Sequence, residues 1–560
     1  MRGRVRIVAV VAAIGLLAAA CSKSTSGNGG TSPGGGKVVE GGIFRLGTSS
    51  TIDSLNPFVA FQANAIEVFI YTYPYLATYD AKNNVVPSFA KSWDTSPDGL
   101  TWTFHTVPNA KWSDGQPLTA EDVAWTFNTV LKYQKGPTSY YSPNVVDLAS
   151  VTATDANTVA FHYSTPVGPA LAELSAVPIL PEHIWAKLAT GDGKALKTYQ
   201  NAPQNGQAVV SGGPFELTSY TKDQIALLKR NDSFWGQKPH IDGFGIQIYA
   251  NDDAMVTALK NGQLDGIESV PTTDVKVLQD AGLKINRTAG VFFYDFIINS
   301  NPKKPAHREL LNLQVKLAFE YAVDRKQIID VALNGYGTPG DSIVPPANGI
   351  WHDPNLTPIP FDLNKANQIL DGLGYTKGSD GIRVANGHPM AYQMIIPSSR
   401  QAELSRTFQI LQPDFQKIGV KLTLKVLDPS AAFNAIGAPN YKYLDFDLAM
   451  WDWIPAPDPA EILSVLLCNQ YGSNSDTGYC NPAYDALYKQ QEATVDQKKR
   501  LQIVYQMQKT LFDTRPYIVL NYPDVIDAYS TKWGGFYNEL GYGIYTTEGP
   551  QSFVDAHQVG

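Results

Sequence analysis

The densest chemistry in the chain lies between Met450 and Pro459, where MWDWIPAPDP packs two tryptophans, two carboxylates and three prolines into ten residues. Prolines fix the local backbone, Trp451 and Trp453 offer large flat faces for stacking, and Asp452 and Asp458 offer charge to a cationic group. The plainer reading of the tryptophans is core packing. Upstream, Arg400 follows Pro397-Ser398-Ser399 and carries a guanidinium fork whose geometry suits a carboxylate. Thr48, Ser49 and Ser50 are a run of short hydroxyls, able to hydrogen-bond a ligand or to cap a turn. Phe293 and Tyr294 sit in an apolar run and line either a cleft or the core.

Little else in the chain would do catalysis. There is no G-x-S-x-G elbow and no H-E-x-x-H zinc helix. The eight histidines (His105, His162, His183, His240, His307, His352, His388 and His557) are scattered without ligand spacing. The pairs Asp252-Asp253 and Glu121-Asp122 read as turn and helix-start residues. No catalytic set, metal site or cofactor is expected; an extracellular hydrolase is the rival enzyme class. The formal charge of −8, without any Lys/Arg-rich run, excludes nucleic acid as a partner, because phosphate contacts need clustered positive charge.

The N-terminus points to export. Arg2, Arg4 and Arg6 form a cationic head, and Ile7 to Ala20 is apolar but shorter than the roughly 20 residues a membrane-spanning helix needs. Leu17-Ala18-Ala19-Ala20-Cys21 resembles the bacterial lipobox, with Ala18 in place of the usual leucine, so residues 1–20 read as a cleaved signal and Cys21 as the lipidated residue. A plain secretory signal is the alternative, and both export the chain. Residues 21–37, with Ser22 to Gly36 (SKSTSGNGGTSPGGG) at their heart, read as a flexible tether reaching roughly 20 Å. Cleavage removes three arginines and takes the charge from −8 to about −11. Cys468 and Cys480 then remain as a close pair in an oxidising compartment, and a disulfide between them would staple the polar loop NQYGSNSDTGY.

The remainder alternates strand and helix signals, and its length suggests roughly three or four domains. Gly41 to Gly47 alternates like a strand, with Ile43 and Leu46 able to face a core, and Leu100 to His105 does the same. Thr119-Ala-Glu-Asp122 reads as a capping box before Val123, Phe127, Val130 and Leu131. Strands are expected at Phe215 to Tyr220 and Ile225 to Leu228, and a helix at Met255 to Leu259 stopped by Gly262. Leu317, Ala318, Tyr321 and Ala322 form a helical stripe, and Asp324 with Gln327 caps a helix carrying Ile328, Ile329, Ala332 and Leu333. Phe408, Leu411 and Phe415 precede Gly419 at helical spacing, followed by the alternation Val420, Leu422, Leu424. The fold class is α/β, without a repeat of fixed period.

Four ordered stretches resemble the extracellular solute-binding proteins of ABC transporters, in the large family with dipeptide-, oligopeptide- and nickel-binding members. They are Gly41 to Phe58 (GGIFRLGTSSTIDSLNPF), Phe89 to Phe127 (FAKSWDTSPDGLTWTFHTVPNAKWSDGQPLTAEDVAWTF), Gly213 to Gly266 (through GPFEL, KRNDSFWGQKP and ALKNGQLDG), and Ala318 to Pro346 (AFEYAVDRKQIIDVALNGYGTPGDSIVPP). The resemblance implies a periplasmic-binding-protein-like, two-lobed clamshell of class II, with an extra α/β subdomain in the first lobe. Residues 38–84, 206–290 and 526–560 would form lobe I, residues 85–205 the inserted subdomain and residues 291–525 lobe II. Val291 to Asn299 and Pro516 to Tyr522 are the apolar runs suited to the crossings.

The resemblance further implies a non-enzymatic, monomeric lipoprotein on the extracellular face of the cell membrane. It would hand an oligopeptide or similar small molecule to permease subunits. Ligand contacts in the family fall in the tryptophan-led segment, and peptide binders keep an aspartate about three residues past the tryptophan for the ligand's amino terminus. Ile454 stands at that position, leaving Asp452 or Asp458 as substitutes. Arg400 stands where peptide binders present an arginine to a carboxylate, although its short spacing to Gly419 favours a solvated arginine. The aromatic content leaves oligosaccharide and metal chelate as alternative ligands.

Overall fold

The computed structural model describes residues 37–560, so the expected signal segment, the lipidation at Cys21 and the tether lie outside the described residues. Strand β1 (Ile43–Thr48) turns Phe44 and Leu46 fully inward. Ile43, expected to face the core, is instead 52% exposed. The phase of the strand is decided by Phe44, whose ring meets Trp533, Phe536, Tyr545 and Phe553 at centroid distances of 5.2 to 5.8 Å. Helix α1 (Ala63–Thr72) follows.

Residues beyond it form a separate antiparallel sheet of β2 (Ala90–Thr95), β3 (Thr101–Thr106), β4 (Leu148–Asp155) and β5 (Thr158–Tyr163), in the order β2-β3-β5-β4. Helix α2 (Ala120–Tyr133) packs on it, with Phe127 edge-on to Phe161 at 4.8 Å. The expected capping box starts this helix: Thr119 N–H donates to Asp122 Oδ2 at 2.9 Å and Thr119 Oγ1 accepts from Glu121 N–H at 3.2 Å.

The chain then returns to β1. Strands β6 (Phe215–Thr221) and β7 (Ile225–Arg230) form a hairpin, and β8 (Gly243–Ile248) joins β7 to β1, running parallel to β1. Helix α3 (Asp252–Lys260) leads to the short β9 (Gly266–Ile267), parallel to β1 on its other side.

Strand β10 (Lys284–Ala289) runs almost directly into β11 (Phe293–Ile298), in which all six residues are buried. Next come α4 (Leu313–Tyr321), α5 (Arg325–Ala332), β12 (Ala391–Pro397), α6 (Gln401–Lys417), β13 (Lys421–Leu427) and β14 (Leu448–Trp453). Helices α7 (Pro482–Glu492) and α8 (Gln497–Thr514) precede the 13-residue β15 (Tyr517–Tyr529). The sheet path is β13-β12-β14-β11-β15-β9-β1-β8-β7-β6. Along β15, Tyr517 to Asn521 pair with β11, whereas Asp524 to Tyr529 pair with β10. One strand thus belongs to both halves of the molecule.

The total burial of β11 explains why its sequence is a continuous apolar run. Phe296 and Ile298 face a core containing Phe319, Leu411 and Phe415, while Phe293 and Ile297 face a second core containing Leu463, Val504 and Met507. Asp324 caps α5 through the N–H of Gln327, as its position anticipates, at 2.9 Å. Cys468 and Cys480 are joined by a disulfide. Among the described residues, no helix is long and apolar enough to cross a membrane.

Candidate functional site in the β11, β14 and Arg400 cluster

Antiparallel pairing of β11 with β14 sets Tyr294 opposite Asp452, Asp295 opposite Trp451 and Phe293 opposite Trp453. Strand β12 runs parallel beside β14, and the single turn after it ends at Arg400, the residue that opens α6. Arg400 is therefore delivered to the C-terminal end of β14. Its Nε and Nη2 donate to Asp452 Oδ1 and Oδ2 at 3.3 and 3.1 Å. Its guanidinium also lies over the Phe292 ring, 5.1 Å from the centroid. The expectation of a solvated arginine is corrected here: parallel pairing of β12 and β14 brings two residues 52 apart in sequence into one ion pair. Tyr294, nearly buried beside the pair, has its hydroxyl pushed upward by desolvation and then by Glu403.

Trp451 and Trp453 are half-buried. Trp453 Nε1 donates to Asp476 Oδ2 at 3.2 Å, and Asp476 also accepts the hydroxyl of Tyr517. Asp476 belongs to the loop that the disulfide closes, so the staple holds the residue that orients Trp453. Beneath Trp451, Asp295 is fully buried; its Oδ1 accepts the Trp451 N–H at 3.2 Å and its Oδ2 has no partner. Desolvation, followed by Asp476 and Asp452, holds its carboxyl well above the usual carboxylate range. Desolvation likewise raises Asp476. Burial thus favours the uncharged acids, and the ion pair left at this strand end is Arg400 with Asp452, their side chains 39% and 17% exposed.

Thr48, Ser49 and Ser50 lie on a different part of the sheet, separated from β14 by β11, β15 and β9. The Thr48 side chain is buried and accepts the Ser50 N–H at 2.9 Å and Asn64 Nδ2 at 3.3 Å, which is turn capping; Ser49 and Ser50 are exposed. Asn64 also donates to Glu268 Oε1 at 3.3 Å. Behind these residues, Glu67 is 4% exposed and neither of its carboxyl oxygens has a partner. Desolvation, then repulsion from Glu268 and Asp527, keeps its carboxyl well above its ordinary value.

Asp458 stands apart from both groups. It receives Arg500 Nη1 and Nη2 at 2.5 and 2.6 Å and caps the following turn by accepting the Ala460 N–H at 3.0 Å. Ile454, at the end of the tryptophan segment, is 66% exposed. Of the nine binding candidates, Asp452, Arg400 and Tyr294 come together on one face of β14, Trp451 and Trp453 lie on its other face against the Phe293 and Ile297 core, the Thr48 run forms a further group, and Asp458 is committed to Arg500. The residues that sequence reasoning missed are Phe292, Asp295, Asp476, Glu67 and Glu268. Only Asp295 left a signal, as a lone carboxylate inside the apolar run VFFYDFIIN.

Comparison with known proteins gives this geometry a context. Residues 84–474 match the bacterial extracellular solute-binding proteins, family 5 Middle. Protein XP55 of Streptomyces lividans is 27% identical over 542 residues, which is 96% of this chain and 93% of that protein. The dipeptide-binding protein of Escherichia coli is 24% identical, over 81% of this chain and 83% of its own length. The crystal structure of the ABC transporter substrate-binding protein CtaP from Listeria monocytogenes superposes with a TM-score of 0.77 at 22% identity, covering 93% of this chain and all of that one. The chain belongs to the bacterial extracellular solute-binding proteins of family 5, the binding components of ABC importers, and has their two-lobed α/β fold.

Proposed function

We propose that this protein captures a small solute, an oligopeptide before other classes, at the end of β14, where Trp451 and Trp453 stand on one face and Tyr294 with the Arg400–Asp452 pair on the other. The solute is held between lobe I (residues 38–84, 206–290 and 526–560, with the subdomain 85–205 inserted) and lobe II (residues 291–525), and is delivered to a membrane permease. The protein works as a monomer, tethered to the outer face of the cell membrane by lipid on Cys21.

The observation that carries this reading is that one strand end presents two half-exposed indoles on one face and an ion pair on the other. Stacking surface beside a few convergent polar groups is what a ligand pocket requires. Ile454 supplies no carboxylate to an amino terminus, so Asp452 is the carboxylate left at this strand end for a peptide's ammonium, and Arg400 would be released from it to take a carboxylate. Ser49 and Ser50, exposed at the end of β1, would contact the opposite side of the solute, while Thr48 and Asn64 hold their turn from behind. A solute touching both lobes binds the closed form better than the open one, and shifting a mostly open population to mostly closed takes roughly 5 kcal/mol of differential affinity. The backbone available to bend is short: β15 is shared, and between β10 and β11 stands Gly290, where a Cβ would lie 2.4 Å from the Pro523 carbonyl oxygen.

The stacking faces also suit a pyranose ring, which makes oligosaccharide the second reading. A thermal-shift screen of free oligopeptides, N-acetylated oligopeptides, oligosaccharides and nickel chelates separates them. Stabilisation by free peptides and not by N-acetylated ones supports recognition of the ammonium by Asp452. Stabilisation by none of the four classes overturns the reading.

A further inference from the structure

The Asp476 carboxyl reaches across three strands. Its Oδ2 accepts the Trp453 indole N–H from β14 at 3.2 Å, and its Oδ1 accepts the Tyr517 hydroxyl from β15. Strand β11 runs between those two strands, with Phe293 opposite Trp453 and Ile297 opposite Tyr517. Phe293 and Ile297 face the same core, and the residue between them on that face is Asp295. A carboxyl tied at once to both neighbours of β11 is therefore seated over Asp295. The two residues are 0% and 3% exposed.

Two carboxyl groups so placed cannot both be ionised. Among the described residues no cation faces them: their titratable neighbours are Asp452 from β14, Tyr517 from β15 and Tyr443 from the segment ahead of β14, and helix α8 presents Val504 and Met507 to this core. Arg400 is engaged with Asp452 on the opposite face of β14. Asp295 Oδ1 accepts the Trp451 N–H at 3.2 Å, whereas its buried Oδ2 has no partner. Both oxygens of Asp476 already accept hydrogen bonds, which favour its charged form. A proton on Asp295 Oδ2 turns an orphaned acceptor into a donor for Asp476. The electrostatics agree: desolvation and then Asp476 hold the Asp295 carboxyl well above its ordinary range, while hydrogen bonds from Tyr517 and Trp453 restrain the rise at Asp476.

We propose that Asp295 and Asp476 share one proton, Asp295 Oδ2–H donating to the Asp476 carboxylate, and that this hydrogen bond positions Trp453. On the reading of Trp453 as a stacking face for the solute, on which this role rests, the two are positioning residues: they act through the indole and do not touch the solute. Raising the pH passes the proton to water and leaves two buried carboxylates facing each other with no donor between them. Asp476 is then driven from Asp295 with the disulfide-closed loop that carries it, and the indole N–H loses its acceptor.

The test uses the solute-free full chain with 5-fluorotryptophan at its ten tryptophans, the Trp453 fluorine resonance being assigned with Trp453→Phe. Titration from about pH 5 to about pH 10 should carry that resonance through one step. Asp295→Asn keeps an oxygen for the Trp451 N–H and sets a permanent N–H donor where the proton sits. The step should vanish, with the resonance held at the wild-type acidic position throughout. Tyr517→Phe removes a donor that holds the anion and should move the step to higher pH by at least about half a unit, which serves should Asp295→Asn fail to fold. A Trp453 resonance that does not titrate in the wild type, a step that survives Asp295→Asn, or a Tyr517→Phe midpoint that stays in place or falls would overturn the proposal. Because no solute is present, none of these outcomes depends on the solute screen, which stands or fails separately.

Discussion

Asp458→Asn separates a structural carboxylate from a ligand-binding one. The Asp458–Arg500 pair is made by two short charge-assisted hydrogen bonds, and the side chains are 13% and 3% exposed. Asparagine keeps an oxygen for the Ala460 N–H, so the substitution removes charge while leaving the turn capped. Arg500 would then remain buried against Trp351 with one neutral partner beside it and with Gln491 Oε1 at 2.8 Å. Stranding one member of a buried pair costs roughly 3–5 kcal/mol. Because Glu492 and Glu173 also lie near Arg500, the low end of that range, about 3 kcal/mol, is expected.

Urea unfolding of the solute-free protein followed by circular dichroism measures this loss, and calorimetric titration of whichever solute the screen identifies measures affinity. The double variant D458N/R500M should cost less than the sum of the single changes by about 2 kcal/mol, the signature of a direct interaction. Solute affinity should stay within threefold of the wild type. A stability loss under about 1 kcal/mol combined with collapse of solute affinity would refute the assignment and return Asp458 to the ligand site.

Replacing both Cys468 and Cys480 by serine should lower stability by about 3 kcal/mol, from the 12-residue separation they close, and should weaken solute binding because Asp476 no longer fixes Trp453; undiminished affinity would argue against the second effect. Asp527, fully buried, has its carboxyl raised by desolvation to about 7 from 3.8, so the folded chain holds a proton that the unfolded chain has lost; stability falls as pH rises from about 4 to about 7. Asp527→Asn should remove part of that decline and stabilise the protein at pH 8, checked by urea midpoints across the range, whereas an unaltered slope would contradict it. Gly168→Ala must displace the segment after β5 from the end of α7, and should give a larger solute-bound radius of gyration by X-ray scattering than the wild type; an identical radius would mean that the contact plays no part in closure.

Local signals carried most of the architecture and little of the site. The caps at Thr119 and Asp324 involve residues three apart, so their sequence spacing alone announces them. Val291 to Asn299 and Pro516 to Tyr522 are legible as buried strands because helices cover both faces of the sheet they share. The inward side of β1 is not legible at Ile43, since a short alternation does not reveal that Phe44 meets a cluster of aromatic rings drawn from the far end of the chain. The site was harder still. Arg400 and Asp452, Asp458 and Arg500, and Trp453 and Asp476 are united only by strand order, helix docking and a disulfide loop. No spacing rule anticipates such partners. Carboxylates that look free in sequence, such as Asp458, turn out to be neutralised, while Asp295 and Glu67 are buried with unpartnered oxygens.

A solute gripped at Trp451 and Trp453 is expected to draw residues 291–525 against the rest of the protein. Spin labels at two exposed positions, Lys222→Cys and Lys365→Cys, on either side of the shared strand, read this directly by pulsed electron resonance. Saturation with solute should shift the distance distribution to a single shorter population, and the W451A/W453A variant should keep the solute-free distribution at the same concentration. Solute bound at full stoichiometry with the distances unmoved, or closure that persists in the double variant, would contradict the account.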